Sequence, residues 1–343
     1  MSTRQLIALM QDPSRVANTT DAQWNGLVER GRKAQLLGQL AHTLRRAGVF
    51  EQVPPAVQRH LMLDELTARR RAEAALWELK GLRRAIDSAK PLVVLKGCAY
   101  AAAGDDNASG RLFSDVDLMV RRADLDAVES SLISVGWKPS QVDAYDSAYY
   151  RNWMHEVPPM SHVRRHTVCD LHHAINPPIS RYYVQPELLF KPLVEVLPGI
   201  QVLAPLDRII HCALHLLQEG EPKKLLRDLF DLHLLLRQHA SGEDGMPPLL
   251  NRAEALGVGR PVQVAIGAAQ CLFFVGNTSV KLPDSWLQRQ VVRSARGEPG
   301  LRTTLADTAV LAHSHWMKMP WRLLLPHLAH KAWVGWFPDK KGA

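Results

Sequence analysis

The sequence predicts an α+β protein, a central sheet flanked by helices and set between helical N- and C-terminal segments. Three observations predict it. Residues 1–90 read as helical, with apolar residues at near-helical spacing and a stretch over about 56–88 rich in Ala, Leu, Arg and Glu. At Pro91 the texture changes to short apolar runs, "PLVVLKG" and "DVDLMV", interleaved with an amphipathic stretch. From Pro205 the helical spacing returns. The expected boundaries are 1–90 for an N-terminal helical segment, 91–200 for the α/β core and 201–343 for a C-terminal helical domain.

Each element has a local reason. Thr20 is a good N-cap, and Gln23 three residues on completes a capping box. From there Trp24, Leu27, Val28, Leu36, Leu37, Leu40 and Leu44 define one helix, closed by Gly48. After Pro54-Pro55 a second, longer helix runs over about 56–88, its many arginines most simply a solvated face. "PLVVLKG" reads as a buried strand, "CAYAAAG" as a short helix, "DDNASG" as a loop and "DVDLMV" as a second strand. "ADLDAVESSLISVG" is an amphipathic helix with Leu125, Val128, Leu132 and Val135 on one stripe and Gly136 at its end. "SHVRRHTVCDLHHAI" alternates as a strand or hairpin arm. Pro205 opens a helix pair, "LDRIIHCALHLLQ" and "KKLLRDLFDLHLLLRQ", divided at Gly220 and Pro222. Beyond residue 241 more helices are expected, with loops around 245–248 and 297–300.

The chain has 343 residues, and 42 Lys+Arg against 34 Asp+Glu give a formal charge of +8. That suits a polyanionic partner, such as a nucleotide, nucleic acid or anionic lipid surface, and equally an ordinary basic protein. Cys98, Cys169, Cys212 and Cys271 form no CxxC pair, which argues against a zinc ribbon or disulfide framework and for a reducing, cytoplasmic setting. The N-terminus lacks a signal-peptide core. No stretch reaches the ~20 apolar residues of a membrane span.

"RLFSDVDLMV" carries the chemistry. Alternate residues of a strand share a face, so Asp115 and Asp117 point the same way. At a separation of about 7 Å their charges repel by about 2 kcal/mol at an effective dielectric near 20. Two things could offset this: pairing with Arg111, Arg121 or Arg122, or a hard divalent cation, Mg²⁺ or Mn²⁺, which favours oxygen ligands. Upstream, Lys96-Gly97 ends a strand and opens a helix, where backbone can approach a phosphate and N–H groups await an anion. Asp170, in a second apolar strand, shares a face with His172. A third carboxylate meeting the first two would make a site for one or two metals that clamp a triphosphate.

The order of strand, Lys-Gly, short helix, Arg-x-x-x-Asp-x-Asp, amphipathic helix and strand with Asp-Leu-His resembles the DNA-polymerase-β-like nucleotidyltransferase superfamily. More closely, it resembles the bacterial group of uncharacterised nucleotidyltransferases with an N-terminal helical segment. The likeness covers roughly residues 20–240. It implies a polymerase-β-like mixed sheet flanked by helices, with Asp115, Asp117 and Asp170 as the catalytic and metal-binding triad. It also implies an NTP substrate, ATP among the candidates, and transfer of a nucleoside monophosphate with loss of pyrophosphate. Nucleotide contacts are expected at Lys96, Gly97, Cys98, Arg111, Ser114 and His172, with a solvated strand-end lysine the alternative for Lys96 and a structural histidine or a helper to the base the alternative for His172; Asp170 is also the expected general base. Cys98 stands where the superfamily commonly has Ser or Gly. It keeps the backbone N–H but lacks the serine hydroxyl as a phosphate donor. The gap from Gly97 to Asp115 is longer than in the most compact versions of the motif.

The acceptor is left open between a small-molecule hydroxyl, a protein side chain and a tRNA 3′ end, and the charge tilts toward RNA. A contrasting reading is a catalytically inactive nucleotide- or RNA-binding protein on the same scaffold. His211 and His215 lie four apart on a helix, but no third zinc ligand accompanies them. A buried histidine, or a contact from His215 to Asp228 or Asp231, is the expectation. The tail mixes Trp316, Trp321, Trp333 and Trp336 with Lys and His, and helix packing onto the core is its simplest explanation.

Overall fold

In the computed structural model, which describes residues 2–141, 149–150, 153–242, 244–274 and 284–336, helices enclose a seven-stranded mixed sheet. Four helices lead in: α1 (Ser2–Gln11), α2 (Asp21–Lys33), α3 (Leu37–Arg46) and α4 (Pro55–Ala85). The capping box forms in both directions, with the Thr20 hydroxyl oxygen accepting from the Gln23 N–H and Gln23 Oε1 from the Thr20 N–H. The single helix expected from Thr20 to Gly48 is two. The chain leaves α2 through Gln35 at φ 56°, and the Leu36 N–H donates to the Gly31 carbonyl at 2.8 Å. That is the closing bond of a helix-ending turn that usually relies on glycine. Gln35 takes the left-handed position instead and accepts from Arg227 Nη1, so no breaker residue marks the corner.

The strands are β1 (Val93–Val94), β2 (Asp115–Met119), β3 (Trp137–Pro139), β4 (Met160–His162), β5 (Val168–His172), β6 (Val194–Leu197) and β7 (Ile200–Val202). Their spatial order is β3-β4-β5-β2-β1-β7-β6. β2 is parallel to β5, β1 is parallel to β7, and the remaining neighbours are antiparallel. The stretch expected as a strand or hairpin arm is the β4–β5 hairpin, whereas β3, β6 and β7 have no counterpart among the expected elements. Helix α5 (Lys96–Ala103) follows β1, α6 (Leu125–Ser134) follows β2, and a single turn, α7 (Pro186–Leu189), precedes β6. In α6, Leu125, Val128 and Leu132 are buried as expected, but Val135 lies past the helix end and is exposed.

The C-terminal region adds α8 (Pro205–Glu219), α9 (Leu225–His239), α10 (Met246–Ala255), α11 (Gly259–Phe273), α12 (Trp286–Arg296), α13 (Leu301–Lys318) and α14 (Trp321–Trp336). The loop expected around 245–248 is shorter, because Pro247 and Pro248 fill the first turn of α10, where a missing N–H has no partner to lose. Of the Trp-rich tail, Trp321 and Trp333 are exposed on α14, and residues 337–343 lie outside the described residues. No helix among the described residues is long and apolar enough to cross a membrane.

The sheet separates two apolar cores. On one face Val94, Val116, Leu118, Cys169 and Leu171 pack with Leu79 and Leu82 of α4 and with Val128 and Leu132 of α6. On the other, Val93 and Met119 join a larger core in which the N-terminal helices (Leu27, Leu40, Leu61) and the C-terminal helices (Ile209, Leu229, Ile266) interlock. α4 enters both, through Val57 and Leu61 at one end and Leu79 and Leu82 at the other. Its 31 residues make a rod about 46 Å long. Toward its C-terminal end, buried Glu78 accepts from Arg165 Nε at 2.8 Å and holds the β4–β5 hairpin to the rod.

Candidate active site

The alternation of β2 sends Val116 and Leu118 into the α4 core and Asp115, Asp117 and Met119 to the opposite face. In the parallel pairing with β5, Asp117 stands opposite Asp170, and Asp115 opposite Val168. Paired residues of adjacent strands share a face, about 4.8 Å apart between strands. All three aspartates therefore stand on the side of the sheet that looks toward the helical bundle. Asp117 is buried, with 1% of its surface exposed, and Asp115 and Asp170 are half-buried.

Lys96 answers part of the charge problem. Its Nζ donates to Asp117 Oδ1 at 2.6 Å, and His172 Nε2 lies 3.0 Å from the same oxygen. An ionised carboxylate only accepts, so Nε2 carries the proton. Burial alone would raise the Asp117 pKa, but the Lys96 ammonium and the His172 hydrogen bond outweigh it and hold the group well below the usual carboxylate range. Burial likewise works against the Lys96 charge, yet Asp117, Glu156 and Asp170 together raise its pKa. Asp170 has no such cation of its own. Burial, then Asp117 and Glu156, push its pKa up to about 7, and its Oδ1 is buried without a hydrogen-bond partner.

Lys96 sits at φ 50°, a left-handed conformation costly for a residue with a Cβ. It opens α5 in that conformation and so sends its side chain back across β2. Gly97 is needed beside it, because a Cβ there would lie 2.5 Å from Arg111 Nη1 and 2.9 Å from Phe113. What its small size accommodates in this arrangement is the chain leading into β2. Cys98 is fully buried against the α4 core, and burial, then Asp117 and Asp115, push its thiol pKa far up. Ser114 is exposed at the entrance to β2.

Arg111, expected near a triphosphate, is engaged elsewhere. Its Nε donates to Asp231 Oδ2 of α9 at 2.6 Å, its guanidinium lies over the Tyr100 ring, and Gln39 Nε2 donates to the other Asp231 oxygen at 2.9 Å. The pair is buried, and Asp231 is spent on it rather than on His215. Asp228 is bound by Arg227. Gly110, just before Arg111, meets Gly38 backbone to backbone, and a Cβ would come within 2.2 Å of it. The lead-in to β2 is thus fastened to α3 and α9 at once. His211 and His215 stack edge to face with ring centres 6.3 Å apart. Burial, then Lys96 and His172, hold the His211 pKa down to about 3.

Two residues of the site went unnoticed in the sequence. His155 and Glu156 run alongside the end of β5: the His173 N–H donates to the His155 carbonyl at 2.8 Å and the Val157 N–H to the Leu171 carbonyl at 3.0 Å. Glu156 forms an antiparallel bridge with His172, and its Oε2 lies 3.3 Å from His172 Nδ1. Only this long-range pairing brings them in, and "MHEV" carries no motif of its own. Among the described residues, the metal-competent trio whose donor atoms all lie within 4.8 Å of one another is His155, Glu156 and His172, not the three aspartates.

The carboxylate face nevertheless fits a hard divalent ion. It offers oxygen donors, and one of them, Asp170 Oδ1, is buried and orphaned. A family model described as "Uncharacterised nucleotidyltransferase" matches residues 20–274, roughly three-quarters of the chain. No curated protein and no solved structure matches. The chain belongs to that family and is a nucleotidyltransferase enzyme.

Proposed function

We propose, from this membership, that the chain moves a nucleoside monophosphate from an NTP to a hydroxyl acceptor and releases pyrophosphate, using Asp115, Asp117 and Asp170 with Mg²⁺ or Mn²⁺. The observation that carries the reading is the register of β2 on β5, which sets Asp117 opposite Asp170 with Asp115 on the same face. Bound between these carboxylates, the ion would shield the triphosphate charge. Asp170 takes the proton of the attacking hydroxyl, and a pKa of about 7 suits a group that must gain and lose a proton near neutrality. As the hydroxyl oxygen bonds to the α-phosphorus, the bond to the pyrophosphate oxygen breaks and its electron pair leaves with pyrophosphate.

Lys96 supplies positive charge beside Asp117, and the first N–H groups of α5, at Gly97 and Cys98, favour an anion. Ser114 stands exposed at the mouth. His172 steers Asp117. Arg111 is ion-paired with Asp231 and leaves room beside it only for a glycine at position 97. The buried thiols of Cys98, Cys169 and Cys212 and the exposed one of Cys271 are all free, which supports a cytoplasmic setting. The +8 charge supports RNA among the possible acceptors.

The test is to incubate the full chain with each α-labelled NTP, Mg²⁺ and a cell extract. Label should pass to one fraction, and EDTA, D115N or D170N should abolish the transfer. Nucleotide that binds but stays intact would establish the inert scaffold instead, and D115N as active as the wild type would remove the carboxylates from the chemistry.

A further inference from the structure

Two acceptors face each other on the far side of His172. With its Nε2–H given to Asp117, the ring presents Nδ1, which is buried and has no hydrogen-bond partner. Glu156 Oε2 lies only 3.3 Å from it. The His155 ring is tilted over the His172 ring with centroids 5.1 Å apart, and its Nδ1 is also buried without a partner. His155 Nε2 reaches to 4.0 Å of the same Glu156 oxygen. A lone pair and a carboxylate so close repel unless a positive charge lies between them.

We propose that His155, Glu156 and His172 bind a transition-metal ion, zinc or one of its first-row neighbours, at a site of their own beside the aspartate face. The donor set decides the ion's class. Two imidazoles and one carboxylate suit zinc, cobalt, nickel or iron, whereas magnesium prefers oxygen alone. Ligands bound at about 2.0–2.1 Å to a tetrahedral ion stand about 3.3 Å apart; His172 and Glu156 already have that separation, and His155, at 4.0 Å from Glu156, must close by under an ångström. Three protein ligands leave a fourth position for water. The backbone bonds from His173 to His155 and from Val157 to Leu171 fix the segment that carries two of the ligands.

The surroundings also favour a cation. Lys96 is ion-paired with Asp117 at 2.6 Å, and Glu156 and Asp170 add further negative charge around it. The Asp117–His172 contact then has the form of a carboxylate orienting a metal-bound histidine through its second nitrogen. The ion would reach Asp117 by way of that ring, holding the imidazole that in turn holds the carboxylate.

The inference stands apart from the nucleotide reading, and its test is separable from it. The full chain is loaded with Zn²⁺ or Co²⁺, dialysed against buffer free of transition metals and containing excess Mg²⁺, and assayed for retained metal. One ion per chain is expected, and the Co²⁺ form should show the intense visible band of a four-coordinate site. H155A and the near-isosteric E156Q should each weaken binding at least about tenfold. D115N, which disables the proposed transfer site, should bind Zn²⁺ as the wild type does. Comparing melting curves in EDTA ensures that a variant's loss of metal is not loss of fold. No retained metal in the wild type would overturn the site. Retention that survives both H155A and E156Q, or that disappears in D115N, would equally overturn it.

Discussion

At the scale of single residues, Asp170 is the group with most to gain from a ligand. Its pKa rises from an ordinary 3.8 to about 7 because burial, then Asp117 and Glu156, oppose its charge. For a carboxyl raised in the folded state, the contribution to stability is fully present below pH 3.8 and is lost as the pH climbs through 7. At about 1.4 kcal/mol per unit the loss is at most about 4 kcal/mol. Without divalent metal, D170N should therefore melt at the same temperature as the wild type at pH 4 and several degrees higher at pH 8. Mg²⁺ added at pH 8 should raise the wild type alone and narrow the gap. A difference between the two proteins that does not change with pH would mean that the Asp170 carboxylate is comfortable where it is. Lys96 shows a related trade, a left-handed backbone tolerated so that its ammonium reaches Asp117.

At the scale of elements, local chemistry sets the start of α2. T20A removes one half of the reciprocal cap and should lower stability by about 1 kcal/mol, read as a lower urea midpoint, with nucleotidyl transfer unchanged. An unchanged midpoint would show that packing alone fixes this end. Such local signals made much of the fold readable. The strand pattern of "DVDLMV", the stripe of α6 and the α8–α9 pair each needed only their own residues. The turn at Gln35 was hidden because a side chain without turn preference adopts a glycine conformation, secured by Arg227 from far along the chain. Strands β6 and β7 were hidden because Val194 to Val202 is a hairpin with a register shift and few buried residues. In the site, Asp115, Asp117, Asp170 and His172 announced themselves as polar residues in apolar strands. Arg111 showed its charge but not its partner, since Asp231 comes from 120 positions away. His155 and Glu156 needed the ladder beside β5 before they had any meaning.

At the scale of the whole molecule, the two cores meet in α4. Leu61 is sealed among helices from both ends of the chain, while Leu79 and Leu82 are sealed against the sheet. Separate folding of the parts is not expected. Chains ending at residue 90 or starting at residue 91 should each be insoluble or molten, and calorimetry of the intact chain should show one transition. Two well-separated transitions, or a soluble 91–343 fragment with native-like dispersion, would show that the cores are independent. The same geometry makes the sheet a poor candidate for transplantation. Moved into a foreign scaffold without the second half of that rod, it would lose Leu79 and Leu82 from above Val116, Leu118 and Leu171 and keep only the cover of α6, leaving a sticky, half-lidded surface. The rod and the strands are therefore a single transferable unit, to be moved together or not at all.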